Sequence, residues 1–398
     1  MTIFRHKVFL AIILGHFTID LFTNMGSVVI TYLSNETLLL TTAQIGLAIS
    51  LYQLINGSIQ PIFGLLADRI GTRWLGPLSI GWTIFFFALS VFVAKISQNF
   101  TLFLIVFVMA AFGSAAFHPM GTMHAATADK KQVATGTSIF FLFGQSGLAL
   151  GPILAGLILK YTGVIGIYGL AISALPLLFF IGYTMRDTKP YIPKTSNKTS
   201  SEQWRRLFQE IQWPIIGILF LLIGLRSWAF LGTVSFLPKL FQNMGWESDQ
   251  YGAITGIYWI ASAIMGVVGG SMADRWGRRH VIFITLLLGA IPLYFLPLFS
   301  NWVAFVLAIL IGGLLGASHS VLVVIIQDLL PTSKSLASGL ALGYLFSSGA
   351  IATWSIGVLA DQIGAGGLEF IIQLGSGIGI ASACLALLLP ATKDKIGG

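Results

Sequence analysis

Twelve times along this chain a run of roughly 20 residues passes with almost no charge, which is the length a helix needs to cross the apolar core of a bilayer. The runs cover about residues 8–32, 43–66, 74–95, 100–126, 132–159, 165–185, 212–238, 249–272, 281–299, 302–328, 334–360 and 366–389. Only 9% of the residues are charged and 56% are hydrophobic, so most of the chain cannot face water. Lipid offers the backbone no hydrogen-bond partners, and a run of this kind satisfies its own N–H and C=O groups only as a helix. The expectation is an all-α membrane protein with twelve transmembrane helices.

The formal net charge is +8, but the positions of the charges matter more than their sum. With the N-terminus in the cytoplasm, Lys95, Lys160 and Lys239 fall outside and Arg226 falls within a helix, while every other Lys and Arg falls on the cytoplasmic side. That asymmetry places both termini in the cytoplasm of a cytoplasmic (inner) membrane. It also argues against a nucleic-acid partner, since the basic residues sit in short turns between apolar helices. The opening Met1-Thr2-Ile3-Phe4-Arg5-His6-Lys7 imitates a secretion signal, yet it lacks a small-residue cleavage site and reads as the start of a retained first helix. The single Cys384 can form no intramolecular disulfide and no metal set, so no metal site is expected.

The stretch from Gly64 to Arg73, with Asp68-Arg69, Gly71 and Arg73 in it, returns as Gly270 to Arg279, with Asp274-Arg275, Gly277, Arg278 and Arg279. The copies lie 206 positions apart (270 − 64). Glycines, an Asp-Arg pair and basic residues between two apolar runs describe a tight polar turn, and its duplication predicts two copies of one six-helix unit. The glycines permit positive φ or close helix approach, and Asp68 can cap a helix end or pair with Arg69 or Arg73. Gly357 to Gly364 echoes Gly156 to Gly163 in the same way at an offset of 201 (357 − 156). The predicted organisation is a first bundle over 1–185, a cytoplasmic linker over 186–210 and a second bundle over 211–398.

Several runs carry polar residues on one face. His16, Asp20, Thr23, Asn24, Ser27 and Thr31 recur every three or four positions in the first, and Gln53, Asn56 and Gln60 continue the pattern in the second. Such a face must meet protein or a wet cavity, because lipid cannot satisfy it. The fourth run holds Phe117-His118-Pro119, where proline removes a backbone donor, so a kink or local unwinding is expected there. The fifth holds Gln145 and then Gly147, Gly151, Pro152 and Gly156, small residues that permit close packing. Arg226, with Trp228 and Phe230 beside it, stands 206 positions after Asp20, the offset of the paired turns. Tyr258, Trp259 and His319 are further cavity candidates on polar faces.

A charge at the centre of a membrane helix costs about 2.5–3.5 kcal/mol on insertion scales, so Asp20 and Arg226 need a partner or a task. One reading is an ion pair locking the two halves. The other gives Arg226 an anionic or polar group of a small-molecule substrate while Asp20, with His16 one turn away, binds and releases a proton. A buried neutral histidine is an equal alternative for His16, His118 and His319. No phosphate-cradling loop, His-Glu-x-x-His, Cys-x-x-Cys or nucleophile elbow occurs, which argues against an enzyme or an ATP-driven pump.

Twelve runs, a central linker and twin Asp-Arg-x-Gly turns resemble the major facilitator superfamily over the whole chain. Gly15-His16 with Asp20, Phe117-His118-Pro119, the Gly147 to Pro152 run and Arg226-Ser227 resemble its fosmidomycin-resistance type of bacterial efflux proteins. The resemblance implies a monomeric, proton-driven exporter of a drug-like or organic-anion substrate. It would work by alternating access with protons as coupling ion and no cofactor. Helices 1, 4, 7 and 10 would line its cavity, bringing Asp20, His118, Arg226 and His319 near one another, and Asp68 and Asp274 would belong to gating turns. The first turn departs from the family pattern in having Thr72 where the second has Arg278. Uptake or facilitated diffusion of a small organic anion, and a transport-derived receptor or lipid translocator, are the alternatives.

Overall fold

The computed structural model describes Phe4 and residues 6–128, 133–186, 213–329 and 334–390, and no strand occurs among them. The helices are α1 (Lys7–Glu36), α2 (Thr42–Ser58), α3 (Gln60–Ile70), α4 (Leu75–Ser97), α5 (Phe100–Thr127), α6 (Val133–Thr162), α7 (Val164–Ser173) and α8 (Leu175–Met185). After the linker, which lies outside the described residues, come α9 (Trp213–Ser227), a π-helical turn (Trp228–Gly232), α10 (Thr233–Asn243), α11 (Ser248–Trp276), α12 (Arg278–Phe295), α13 (Trp302–Leu329), α14 (Lys334–Ile363) and α15 (Gly367–Ala386). Among the described residues, 11 helical segments are long and apolar enough to cross a membrane, and the second apolar run is covered by the two shorter helices α2 and α3.

The second run is not one continuous helix. It breaks at Ile59, because Pro61 has no N–H to return to the preceding turn, and α3 restarts with that proline in its first turn. At His118-Pro119 the expected unwinding is absent: α5 stays helical from Phe100 to Thr127. Two side-chain bonds brace the helix on either side of the proline: His118 Nδ1 reaches Ser114 O at 2.7 Å and Thr122 Oγ1 donates to His118 O at 2.8 Å. The irregular backbone lies instead in the π-helical turn directly after Arg226.

Both copies of the repeated turn fold alike. Gly71 closes α3 with its N–H on Ala67 O at 2.9 Å, and Gly277 closes α11 on Ala273 O at 3.0 Å. Their φ angles are 80° and 87°, which L side chains rarely adopt, so glycine is required in both places. Thr72, the position that departs from the second copy, is buried and meets His124 Nε2 of α5 at 2.8 Å through Oγ1. A threonine therefore ties the first turn to the bundle where the second has an arginine.

The described residues form two compact units. The first comprises α1–α8 together with Phe236–Gly256, and the second comprises α9 through Ser235 and everything from Ile257 on. The compact units thus depart from the repeat boundary by assigning Phe236–Gly256 to the first.

In the first unit the glycines of α6 let main chains touch. A Cβ on Gly147 would fall on Phe17 O and Leu21 N of α1, and one on Gly151 would fall on Leu21 O. Farther along, Gly156 abuts Ser248 O, and Gly252 and Gly256 abut Pro152 O and Ala149 O. Ser248 Oγ donates to Gly156 O at 3.0 Å. Lys160 closes this end with ion pairs to Asp249 at 2.8 Å and Glu247 at 3.0 Å. Lys239, which sequence placed outside, is buried and donates to Asn35 Oδ1 at 3.1 Å and Gln242 Oε1 at 3.0 Å. The second unit uses the same device: Gly312 abuts Tyr258 O and Gly269 abuts Ala317 O.

Candidate functional site

The first unit gathers three ionisable side chains. His16 and Asp20 lie one turn apart on α1, which aligns them on one face, and His118 reaches them from α5. His16 Nε2 stands 3.2 Å from Asp20 Oδ2, and His118 Nε2 stands 3.3 Å from Asp20 Oδ1. His16 and Asp20 are buried, while the His118 side chain is 21% exposed and is the most open of the three.

Neighbouring helices fix how the rings point. His16 Nδ1 is 2.7 Å from Phe140 O of α6, and its ring stacks on the Phe140 ring at 3.8 Å. His118 Nδ1 meets Ser114 O. A carbonyl can only accept, so both Nδ1 atoms carry hydrogen and both Nε2 atoms face the carboxylate. Around the cluster, Thr23 Oγ1 meets Tyr52 OH at 3.0 Å, and Asn24 Nδ2 donates to Leu148 O. Gly144 lies directly beside His16 and Asp20, where a Cβ would strike the imidazole.

The second unit builds a different site around Arg226, which is fully buried. Its Nε donates to Ser318 Oγ at 2.7 Å, its Nη2 donates to Leu315 O at 3.1 Å, and the guanidinium lies 4.6 Å from the centre of the Phe230 ring. Its Nη1 has no hydrogen-bond partner among the described residues. Tyr258 OH donates to Phe230 O at 3.1 Å, and the Trp259 ring meets Phe230 edge-on at 5.9 Å. The π-helical turn bulges the backbone just where Arg226, Trp228 and Phe230 are presented, and such bulges often mark functional sites.

The charges that the sequence offered as a pair therefore each have partners inside their own unit: histidines for Asp20, a hydroxyl and a carbonyl for Arg226. Of the other candidates, His319 follows Ser318 on α13 and is half-buried, and Trp228 Nε1 is buried with no partner among the described residues. Gln53 and Gln145 are half-buried on α2 and α6, and Asn56 is buried with its Oδ1 unpartnered among the described residues. In the turns, Arg69, Arg73, Asp274 and Arg275 are exposed, Arg278 and Arg279 are half-buried, and the Asp68 side chain lies outside the described residues. Gly64 packs near Pro119, and Gly270 near Ser320. Sequence reasoning missed Phe140 and Gly144. Phe140 acts through its carbonyl, which no side-chain pattern displays, and Gly144 was one small residue among many.

A family model described as Major Facilitator Superfamily matches residues 12–247 and 219–397. The fosmidomycin resistance protein of Escherichia coli (strain K12) is 25% identical over 389 residues, covering 97% of this chain and 93% of that protein. The class D tetracycline resistance protein of Salmonella ordonez is 31% identical over 158 residues, covering 38% of each. Among solved structures, that of the nucleoside transporter NupG superposes with a TM-score of 0.75 at 16% identity, covering 96% of this chain and 98% of that one.

Proposed function

Because this chain belongs to the Major Facilitator Superfamily, and so is a transporter rather than an enzyme, we propose that it exports a small drug-like or organic-anion substrate in exchange for protons. The observation that carries this reading is the buried His16–Asp20–His118 cluster. Two imidazoles on one carboxylate bind and release protons one at a time, and the open edge at His118 lets protons reach them. A charged cluster inside a membrane bundle calls for a task, because its burial is costly. The likeness to fosmidomycin and tetracycline resistance proteins supports export as the direction. Arg226, with one N–H pair still unpartnered among the described residues, supplies a donor for an anionic group of the cargo.

In this reading the protein is a monomer in the cytoplasmic membrane with both termini inside. A proton arriving at Asp20 or its histidines favours one facing of the alternating-access cycle, and substrate favours the other. The test uses purified protein in liposomes, with internal pH recorded while organic anions and drugs are added to wild type and Asp20→Asn. Substrate-triggered proton movement that vanishes in the variant is expected. An Asp20→Asn protein that moves protons normally rules out the coupling role. The Nη1 of Arg226, without a partner among the described residues, also favours a second reading, proton-coupled uptake or facilitated diffusion of a small organic anion. It predicts substrate flux lost in Arg226→Gln, with protons entering alongside the substrate in wild type for proton-coupled uptake and no proton movement for facilitated diffusion.

A further inference from the structure

The orientation of the two imidazoles carries a consequence beyond transport. Each Nε2 aims its lone pair at a carboxylate oxygen, which is also an acceptor, so each contact is attractive only with a cation between the two atoms. Protons can fill both gaps. So can one metal ion shared by all three groups.

We infer that His16 Nε2, His118 Nε2 and the Asp20 carboxylate form a binding site for one divalent transition-metal ion of the zinc, cobalt or nickel kind. Two ligands bound 2.0–2.1 Å from a tetrahedral ion stand about 3.3–3.4 Å apart. Each nitrogen already stands at such a separation from one oxygen of the Asp20 carboxylate, His16 Nε2 at 3.2 Å from Oδ2 and His118 Nε2 at 3.3 Å from Oδ1. All three ligand atoms lie within 4.8 Å of one another. With one carboxylate oxygen shared, no edge between ligand atoms has to close by more than about 1.5 Å. Two imidazoles and a carboxylate suit borderline ions and give magnesium or calcium, which take oxygen ligands, little hold.

The outer shell is built in the same sense. Both Nδ1–H groups are held by backbone carbonyls, Phe140 O and Ser114 O, each at 2.7 Å. That arrangement fixes the tautomer and ring orientation of metal-binding histidines. Phe140 stacked on His16 blocks one side, and the exposed edge of His118 leaves a fourth position open to water or an exogenous donor. No spacing along the chain hints at a metal, because His118 lies 98 positions from Asp20 (118 − 20).

The inference does not depend on the transport reading, and it is tested without flux. The purified full chain, carrying no polyhistidine tag, is titrated in detergent with cobalt(II) chloride while the visible ligand-field absorption is followed. One equivalent should bind to wild type and to His280→Gln, a surface control. His16→Gln, His118→Gln and Asp20→Asn should each weaken binding at least about 100-fold, the upper end of what outer-shell changes alone cause. Zinc should displace cobalt and magnesium should not. No stoichiometric band in wild type, an unchanged band in the three variants, loss of the band in His280→Gln, or equal competition by magnesium each overturns the site. If a variant aggregates, the zinc and magnesium competition in wild type still decides. A protein that binds no cobalt yet couples substrate to protons refutes this inference alone.

Discussion

Replacing Gly144 by alanine puts one methyl group against the cluster and should uncouple the protein without touching any ionisable residue. The new Cβ would lie 2.5 Å from His16 Nε2 and 2.8 Å from Asp20 Oδ2, whereas carbon contacts are comfortable only near 3.5 Å, so both groups must withdraw by about 1 Å. His16 cannot simply swing aside, because Phe140 holds its Nδ1 and stacks on its ring. Overpacking of this sort costs about 1–3 kcal/mol. Loss of the Phe140 hydrogen bond adds about 0.5–1.5 kcal/mol. The proper control is Gly147→Ala, whose methyl would strike Phe17 O and Leu21 N and so overpacks the same helix pair away from the cluster. Both variants should lose thermal stability in detergent, measured by the temperature at which the monodisperse chromatographic peak halves. Only Gly144→Ala should lose at least tenfold in substrate-triggered proton movement per folded molecule. A Gly144→Ala protein as stable and as coupled as wild type would refute the packing argument, and equal uncoupling in Gly147→Ala would show that helix spacing rather than the cluster is responsible.

Gly71→Ala and Gly277→Ala each force a side chain into a backbone region that is close to glycine-only, at about 1–3 kcal/mol apiece, and both should lower the yield of folded protein on chromatography; wild-type yield in either would mean the turn relaxes freely. Thr72→Val removes the partner of His124 Nε2 and should cost about 1–3 kcal/mol in thermal stability, with no loss if the contact is incidental. Arg226→Lys keeps the charge but cannot reproduce the fork that serves Ser318 and Leu315 O together. It should weaken the substrate response at least tenfold in the liposome assay, and an unchanged response would remove Arg226 from cargo recognition.

Most of the fold was legible because membrane helices are written in uninterrupted apolar length, and the twin turns announce duplication directly. The His16–Asp20 half of the cluster was legible for the same reason, since one helical turn separates the two on a face that lipid cannot solvate. His118 joined them only through the family resemblance, because its partnership is tertiary. Pro61 and Pro119 show the limit of local rules. Both remove a backbone donor, yet α2 breaks near the first while α5 runs through the second, a difference that the residue type alone does not display. The π-helical turn after Arg226 has no side-chain signature at all.

The grouping of Phe236–Gly256 with the first unit bears on how far the duplicated halves are separate objects. A fragment ending at residue 185 would keep every turn of its own repeat, yet it would turn toward lipid a notch shaped by Gly156 and by the main chain of Ala149 and Pro152. Acyl chains fill such a notch poorly, because glycine contacts depend on rigid backbone approaching backbone. The twenty-odd residues that close it are encoded beyond the junction, so ancestry divides this polypeptide in one place and cohesion divides it in another. Half-genes expressed apart would yield an incomplete first bundle, and the second half completes its partner's architecture as well as its own.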